Sequence, residues 1–238
     1  MTKDIVSPEC YAAWRQSPLG ATTERLEKDL VFRLAGPMSA QQILDVGTGD
    51  GAYAIEAAAR GAKVVGLDAD PAMLREAERR AVEEGVSVGW HEGRAENMPF
   101  EDGAFDLVLA VTVLCFVDAR AALTEVSRVL APGGRLVLGE LGRWSSWAAL
   151  RRVRGAIGRS GWRAAQFRSA SEMRNLLQST GFEVEQVEGA IYYPPWGAAA
   201  KRLSRLDFLA SHITTVGAAF IAASAHKNTK REPVELDQ

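Results

Sequence analysis

Cysteine is nearly absent from these 238 residues; only Cys10 and Cys115 occur. Two cysteines in such different contexts make no disulfide scaffold, and both are expected to be reduced thiols of a cytoplasmic protein. His91, His212 and His226 are isolated, and no Cys/His group has metal-ligand spacing, so no metal is expected. No apolar run reaches the length of about 18 residues that a membrane-spanning helix needs. The opening Met1-Thr2-Lys3-Asp4-Ile5 lacks the plan of a secretory signal. No internal repeat is visible. One stretch lacks acids altogether. Residues 142–171 carry seven arginines (143, 151, 152, 154, 159, 163 and 168), leaving 21 basic against 30 acidic residues elsewhere. A basic segment on an otherwise acidic chain points to an anionic ligand, a solvated helix face or a peripheral membrane contact.

The composition is otherwise that of a globular protein, 47% hydrophobic and 24% charged, with length enough for a full core over residues 1–226. Strand and helix signals alternate. Residues 1–21 read as irregular, and Thr22 or Thr23 caps a helix that ends at Gly36-Pro37. The run Ile43-Leu44-Asp45-Val46 is a buried strand, Gly47 to Gly51 a glycine turn, and Gly51 to Arg60 an alanine-rich helix. A strand follows at Lys63 to Leu67, ending at Asp68, then a helix opening at Asp70-Pro71 and stopping at Gly85. Further strands are expected at 86–90, 105–111 and 135–141, with a helix capped by Asp118 between the last two. After 141 the rhythm breaks. Residues 142–170 and 192–214 read as insertions around a capping box at Ser169–Glu172, a helix to Thr180, and a strand at 182–187. Residues 217–225 read as the last strand and 227–238 as a disordered tail. Strands alternating with helices imply an α/β, doubly wound sheet of Rossmann-like type.

The strand–turn–helix at 43–60 has the form of a nucleoside-cofactor site. Gly47 and Gly49 permit a tight turn and close approach of a ligand, and the helix points its amide-rich end at the same spot. Asp68 lies at the spacing from which an acid accepts ribose hydroxyls. Gly47-Thr48-Gly49-Asp50-Gly51-Ala52 also satisfies a loose dinucleotide pattern, but Asp45 and Asp50 would repel a pyrophosphate. At about 5 Å and an effective dielectric near 20, one such contact costs roughly 3 kcal/mol. A sulfonium and an ammonium would instead be attracted, which favours S-adenosylmethionine over a dinucleotide.

Leu44 to Gly51 resembles the first motif of class I S-adenosylmethionine-dependent methyltransferases. Val65-Gly66-Leu67-Asp68 resembles the second motif and Gly93 to Phe100 the adenine-side loop. Phe105 to Ala110 resembles the fourth strand, and Val129 to Val137 the turn into the fifth. The set is most similar to the small-molecule branch that includes ubiquinone and menaquinone methyltransferases. Two positions depart from the pattern: Arg94 stands where an acid is usual, and Asp50 where threonine is common. The resemblance implies a mostly parallel seven-stranded sheet, the antiparallel last strand lying between strands five and six.

Together the residues and the resemblance give an expected site. Gly47, Thr48 and Gly49 line the methionine and ribose, Asp45 faces the amino end, and Asp68 with the adjoining Ala69 takes the ribose. Met73 covers the adenine or packs in the core, Ala95 and Glu96 border the adenine edge, and Ala110 and Val111 offer a carbonyl to the ammonium. Acceptor candidates are Tyr11 and Trp14 on an N-terminal lid, Arg143, Trp144 and Arg168 in the basic insertion, and Tyr192 and Tyr193 after strand six; Trp147 and Trp162 lie in the same basic insertion. A plain amphipathic helix is the competing reading of that insertion, with Trp147, Leu150, Val153 and Ile157 on one face and arginines on the other. His91 reads as packed and Cys115 as a small buried residue. No catalytic residue is assigned, because methyl transfer to an activated acceptor needs mainly alignment. The expected partner is a small molecule, aromatic or anionic. Without a separate RNA-binding domain or an N-P-P-Y motif, a nucleic acid is disfavoured.

Overall fold

The computed structural model describes residues 8–156, 165–204, 207–211 and 214–228. Trp162, Arg159, Arg163, Ile157 and His212 fall outside these, as do residues 229–238 of the expected tail and the side chain of Cys10.

The chain begins with two helices, α1 (Pro8–Gln16) and α2 (Pro18–Ala35). This corrects the expectation of an irregular segment to residue 21. Ser17 caps α2 by accepting the Gly20 amide at 3.0 Å, and Pro18 occupies the first turn, where no amide is missed. Thr22 and Thr23 lie within the helix and donate to the carbonyls of Pro18 and Leu19. The helix ends where expected, at a left-handed Gly36.

Then follow β1 (Gln42–Val46), α3 (Ala52–Ala59), β2 (Lys63–Asp68), α4 (Pro71–Glu83), β3 (Val88–Glu92), β4 (Phe105–Val111), α5 (Ala119–Val129) and β5 (Leu130–Leu141). β3 starts two residues later than its alternation suggests. The Val86 amide is used to close α4, donating to the Ala81 carbonyl at 3.0 Å beyond a left-handed Gly85. The basic segment contributes α6 (Ser146–Ala156); α7 (Ala170–Ser179) opens with the capping box at Ser169 and Glu172. β6 (Phe182–Ala190), α8 (Gly197–Leu203), α9 (Asp207–Ser211) and β7 (Phe220–Lys227) complete the described chain. β6 runs three residues past its alternating stretch. β7 is set back to Phe220 because Gly217 is held in a turn at φ 90°, and it takes in Lys227 from the expected tail.

The strands form one seven-stranded sheet in the order β3-β2-β1-β4-β5-β7-β6. β1 pairs in parallel with β2 and β4, while β7 is antiparallel to both β5 and β6. Two apolar clusters cover its faces. Ile43, Leu107 and Leu109 face Phe32, Tyr53 and Ala57 of α2 and α3, and Leu44, Val46 and Val108 face Leu123 and Val126 of α5. Strand parity therefore sends the Asp45 side chain toward α3. The chain reverses direction of travel across the sheet at β1 and β4, so the carboxyl ends of β1, β2 and β4 form the crevice where such sheets bind ligands.

Two β-branched residues at strand exits have left-handed backbones, Thr112 (φ 53°) after β4 and Ile191 (φ 66°) after β6. Such conformations cost on the order of 1–3 kcal/mol each. At Ile191 the counterweight is visible. The buried Asp207 carboxylate accepts the Ile191 amide at 2.7 Å and the Tyr192 amide at 2.8 Å. Asp207→Ala should destabilise the fold by about 1–3 kcal/mol, read as a lower urea midpoint with an unchanged slope.

Candidate active site

The turn after β1 is fastened to the end of β2. Gly47 and Thr48 both donate their amides to the Leu67 carbonyl, at 2.8 and 2.9 Å. The Gly49 amide donates to Asp68 Oδ2 at 2.7 Å, and the Asp70 amide to Asp68 Oδ1 at 2.9 Å. Each Asp68 oxygen thus retains acceptor capacity while the carboxylate is locked in orientation. Burial raises the Asp68 pKa, partly offset by those amide bonds. Gly47 (φ 67°) and Gly49 (φ 55°) serve different needs. A side chain on Gly47 would strike Val113 at 2.5 Å, whereas one on Gly49 would point into open space. That opening lies beside Asp68.

Asp45 is 2% exposed. Its carboxylate accepts the Thr48 hydroxyl at 2.6 Å and is bonded by the Ala54 amide, while burial lifts its pKa to about 7. Asp50 is equally buried, and its carboxylate is paired with Arg15 of α1 and, at 3.0 Å, with Arg80 of α4. Arg80 also donates to the Asp50 carbonyl at 2.7 Å. The two acids are therefore not the free charges that the sequence leads one to expect. Asp50 spends its charge on two arginines and Asp45 is half-neutral near pH 7, so neither presents a free anion to the turn.

The remaining cofactor-side candidates gather at the same strand ends. Ala69 is exposed and Met73 half-buried in the first turn of α4; Ala110 and Val111 are buried at the end of β4. Ala95 is buried, and Glu96 pairs with Arg94 at 3.1 Å while its Oε2 is buried without a hydrogen-bond partner among the described residues. His91 is exposed on β3 with its ring edge-on to Phe100, so it is not enclosed.

The acceptor-side candidates separate into three groups. Tyr11 and Trp14 stack at 5.6 Å on α1, next to the Arg15–Asp50 pair that pins this helix to the glycine turn. Arg143, Trp144 and Arg168 line an open groove of about 730 Å³ with Arg152, Phe167 and Glu172. Within it Arg143 is tied to Glu172 at 2.8 Å and to the Phe167 carbonyl, and Trp144 is 63% exposed. Arg168 faces the buried Glu140 at 3.6 Å and donates to the Leu114 carbonyl, bracing the loop after β4 over the buried Cys115. Tyr192 donates its hydroxyl to the Thr214 carbonyl. Tyr193, 1% exposed, joins α2 to α6: its hydroxyl meets Thr23 at 3.1 Å and its carbonyl accepts Trp147 Nε1 at 2.8 Å. Arg168, Tyr192 and Tyr193 therefore have structural partners.

The helix α6 does not follow its expected face. Val153 is 60% exposed, and the inward side carries Trp147, Ala148 and Gly155. Arg151, one turn after Trp147, shares that side, half-buried with its guanidinium 5.4 Å from the Trp147 ring. An arginine on the inward stripe is a signal that a two-sided division of apolar and basic residues hides.

A model of the methyltransferase domain matches residues 44–138. An uncharacterised protein of Mycobacterium tuberculosis is 36% identical over 233 residues, covering 95% of this chain and 76% of its own. A demethylmenaquinone methyltransferase of Thermus thermophilus is 47% identical over 108 residues, 44% of this chain and 49% of that protein. A Thermotoga maritima S-adenosylmethionine-dependent methyltransferase, described as a possible histamine N-methyltransferase, superposes with a TM-score of 0.71. It shares 24% identity, with 92% of this chain and 94% of that one covered. The chain belongs to the class I S-adenosylmethionine-dependent methyltransferases.

The cofactor of this methyltransferase is S-adenosylmethionine, and the residues present fit it. The space over Gly49, the oriented Asp68 carboxylate and the unpartnered Glu96 Oε2 suit, in turn, a closely approaching ligand, a diol and an amino group. Two measurements follow. Asp68→Ala should weaken binding of S-adenosylhomocysteine by roughly 10- to 100-fold, the value of about 1.5–3 kcal/mol for hydrogen bonds to a charged group; calorimetry beside an unchanged circular dichroism spectrum reads this. The second concerns Asp45. Because its folded pKa is raised to about 7, the folded state holds a proton that the unfolded chain releases near pH 4. This group's contribution is full below pH 4 and is lost as pH rises to 7. Asp45→Asn should flatten the fall of melting temperature between pH 4 and 7, measured in a pH series.

Proposed function

We propose that this methyltransferase transfers the methyl group of S-adenosylmethionine to a small-molecule acceptor enclosed beneath its N-terminal helices. The observation that carries this reading is the pairing of Arg15 with the buried Asp50, which brings α1 and its Tyr11–Trp14 stack to the glycine turn. A site roofed by a helix pinned to its cofactor turn admits a compact molecule more readily than a folded polymer.

The protein's own residues supply binding and alignment. Gly47, Thr48 and Gly49 present backbone, Asp68 takes the ribose hydroxyls, and Glu96 Oε2 meets the adenine edge. Bound there, S-adenosylmethionine supplies an already activated methyl carbon. The work left to the chain is to hold the acceptor in line and keep water out, for which positioning contributes about 7–11 kcal/mol. Aromatic side chains from α1 and α6 give the acceptor flat apolar walls, and the basic character of α6 favours an acceptor with negative charge.

A panel of small aromatic and anionic acceptors, assayed with radiolabelled S-adenosylmethionine beside total RNA and denatured protein, tests the reading. Label should enter one class of small molecule and neither polymer. Label found in RNA or protein alone would overturn it.

A further inference from the structure

Four elements contribute one polar side chain each to a cluster coupled electrostatically through Glu27: Tyr11 from α1, Glu27 itself from α2, Tyr53 from α3 and Arg151 from α6. Each of the other three lies within electrostatic reach of Glu27. Tyr53 is the second residue of α3, only 9% exposed, and its hydroxyl is a buried polar atom with no hydrogen-bond partner among the described residues. A buried hydroxyl without a partner costs about 1–3 kcal/mol unless a ligand supplies one. Glu27 is half-buried and forms no hydrogen bond or ion pair among the described residues. Around these polar groups stand aromatic rings: Phe32 at 6.1 Å from Tyr53, Trp147 under Arg151, and Tyr193 at 6.5 Å from Trp147.

Resting on the small-molecule reading above, we propose that Glu27 is the general base of this methyltransferase, and that Tyr53 holds the acceptor's hydroxyl against it. The acceptor class is a weakly acidic aromatic alcohol, a phenol. The aromatic rings supply its walls, the unpartnered Tyr53 hydroxyl supplies a hydrogen bond to its oxygen, and Glu27 receives its proton. In the step, the acceptor's O–H bond breaks and the proton passes to the Glu27 carboxylate. The oxygen pair so freed forms the new O–CH₃ bond, and the pair of the broken S–CH₃ bond stays on sulfur. A base is needed because a neutral phenol is a poor nucleophile.

The electrostatics agree with this geometry. Burial lifts the Glu27 pKa to about 7 and Glu24 adds to the rise, while Arg151 opposes it. A carboxylate titrating there is a far better match to a phenol than an ordinary exposed glutamate. Tyr11, Tyr53 and Tyr193 lie within electrostatic reach of Glu27, and burial holds all three hydroxyls above their usual pKa, so they remain neutral donors at physiological pH. Glu27 is thus the group in this cluster placed to accept a proton near neutrality.

The test uses the whole chain saturated with S-adenosylhomocysteine and two probes that stay neutral at the phenol between pH 6 and 8, catechol and 4-hydroxybenzoate. Wild-type affinity for a probe should rise up to about tenfold across that range as Glu27 ionises. Glu27→Gln should remove the pH dependence, and Tyr53→Phe should weaken binding about two- to tenfold at every pH. Both variants should keep wild-type affinity for S-adenosylhomocysteine and a melting temperature at or above that of the wild type, because each removes an unmet buried polar cost. An unchanged pH profile in Glu27→Gln, or no binding of either probe to the wild type, overturns the proposal while leaving the methyltransferase reading intact. Failure of the wild type to bind S-adenosylhomocysteine would strike that underlying reading instead.

Discussion

The site depends on one set of hydrogen bonds, those that hang the turn after β1 on the end of β2. Three successive amides, from Gly47, Thr48 and Gly49, are donated across to Leu67 and Asp68. Those amides would otherwise be unsatisfied at the exit of a central strand, where burial makes an unpaired donor costly. Their capture fixes the turn, orients the Asp68 carboxylate, and leaves the space over Gly49 open. Left-handed backbone at Gly47 and Gly49 is what lets three successive amides converge on the end of β2. The parallel pairing of β1 with both β2 and β4 then brings the ends of all three strands to the same crevice.

Asp50 extends this arrangement beyond the sheet. In a chain with threonine there, the turn would have a neutral side chain. Here a buried carboxylate is shared by Arg15 and Arg80, so α1, the turn and α4 meet at one charge. Arg15 is also placed against Glu24 and over the Tyr11 ring. Breaking a buried pair by removing one partner costs far more than forming it gains. The position of α1 is consequently coupled to the conformation of the cofactor turn, and the aromatic pair on α1 is carried with it.

Much of this was legible in the residues because the signals were local. The glycines at 47, 49 and 51, the caps at Asp70, Asp118 and Ser169, and the alternation of strands gave the sheet and the place of Asp68. What escaped was set by contacts remote in sequence. Asp50 looked like a free charge because nothing near it in sequence announces Arg15 or Arg80, and the burial that lifts the Asp45 pKa is set by the packing of the sheet. The helix α1 is short, and its fixed position depends on the salt link to residue 50 rather than on its own periodicity. Arg168 sits in a basic run that suggests a ligand, yet its partner Glu140 lies on β5. Arg151 belonged to a predicted polar face and turned inward on Trp147.

The distribution of buried acids bears on why the molecule is built this way. Asp45, Glu27 and Glu140 all have pKa values lifted to about 7 by burial. Each makes the fold less stable at neutral pH than a neutral side chain of the same shape would. Two have internal roles that compensate: Asp45 ties the turn to α3 through Thr48 and Ala54, and Glu140, with Arg168, braces the loop after β4. Glu27 has no such bond among the described residues, and Tyr53 beside it leaves a buried hydroxyl unsatisfied. A fold selected for stability alone would replace both with apolar residues, since their neighbours Phe32, Leu30 and Ala54 are already core. Unmet polar atoms also occur at Gln41, Arg135, Glu140 and Glu188 among the described residues, so what sets Tyr53 apart is the acidic Glu27 within its electrostatic reach next to the cofactor turn.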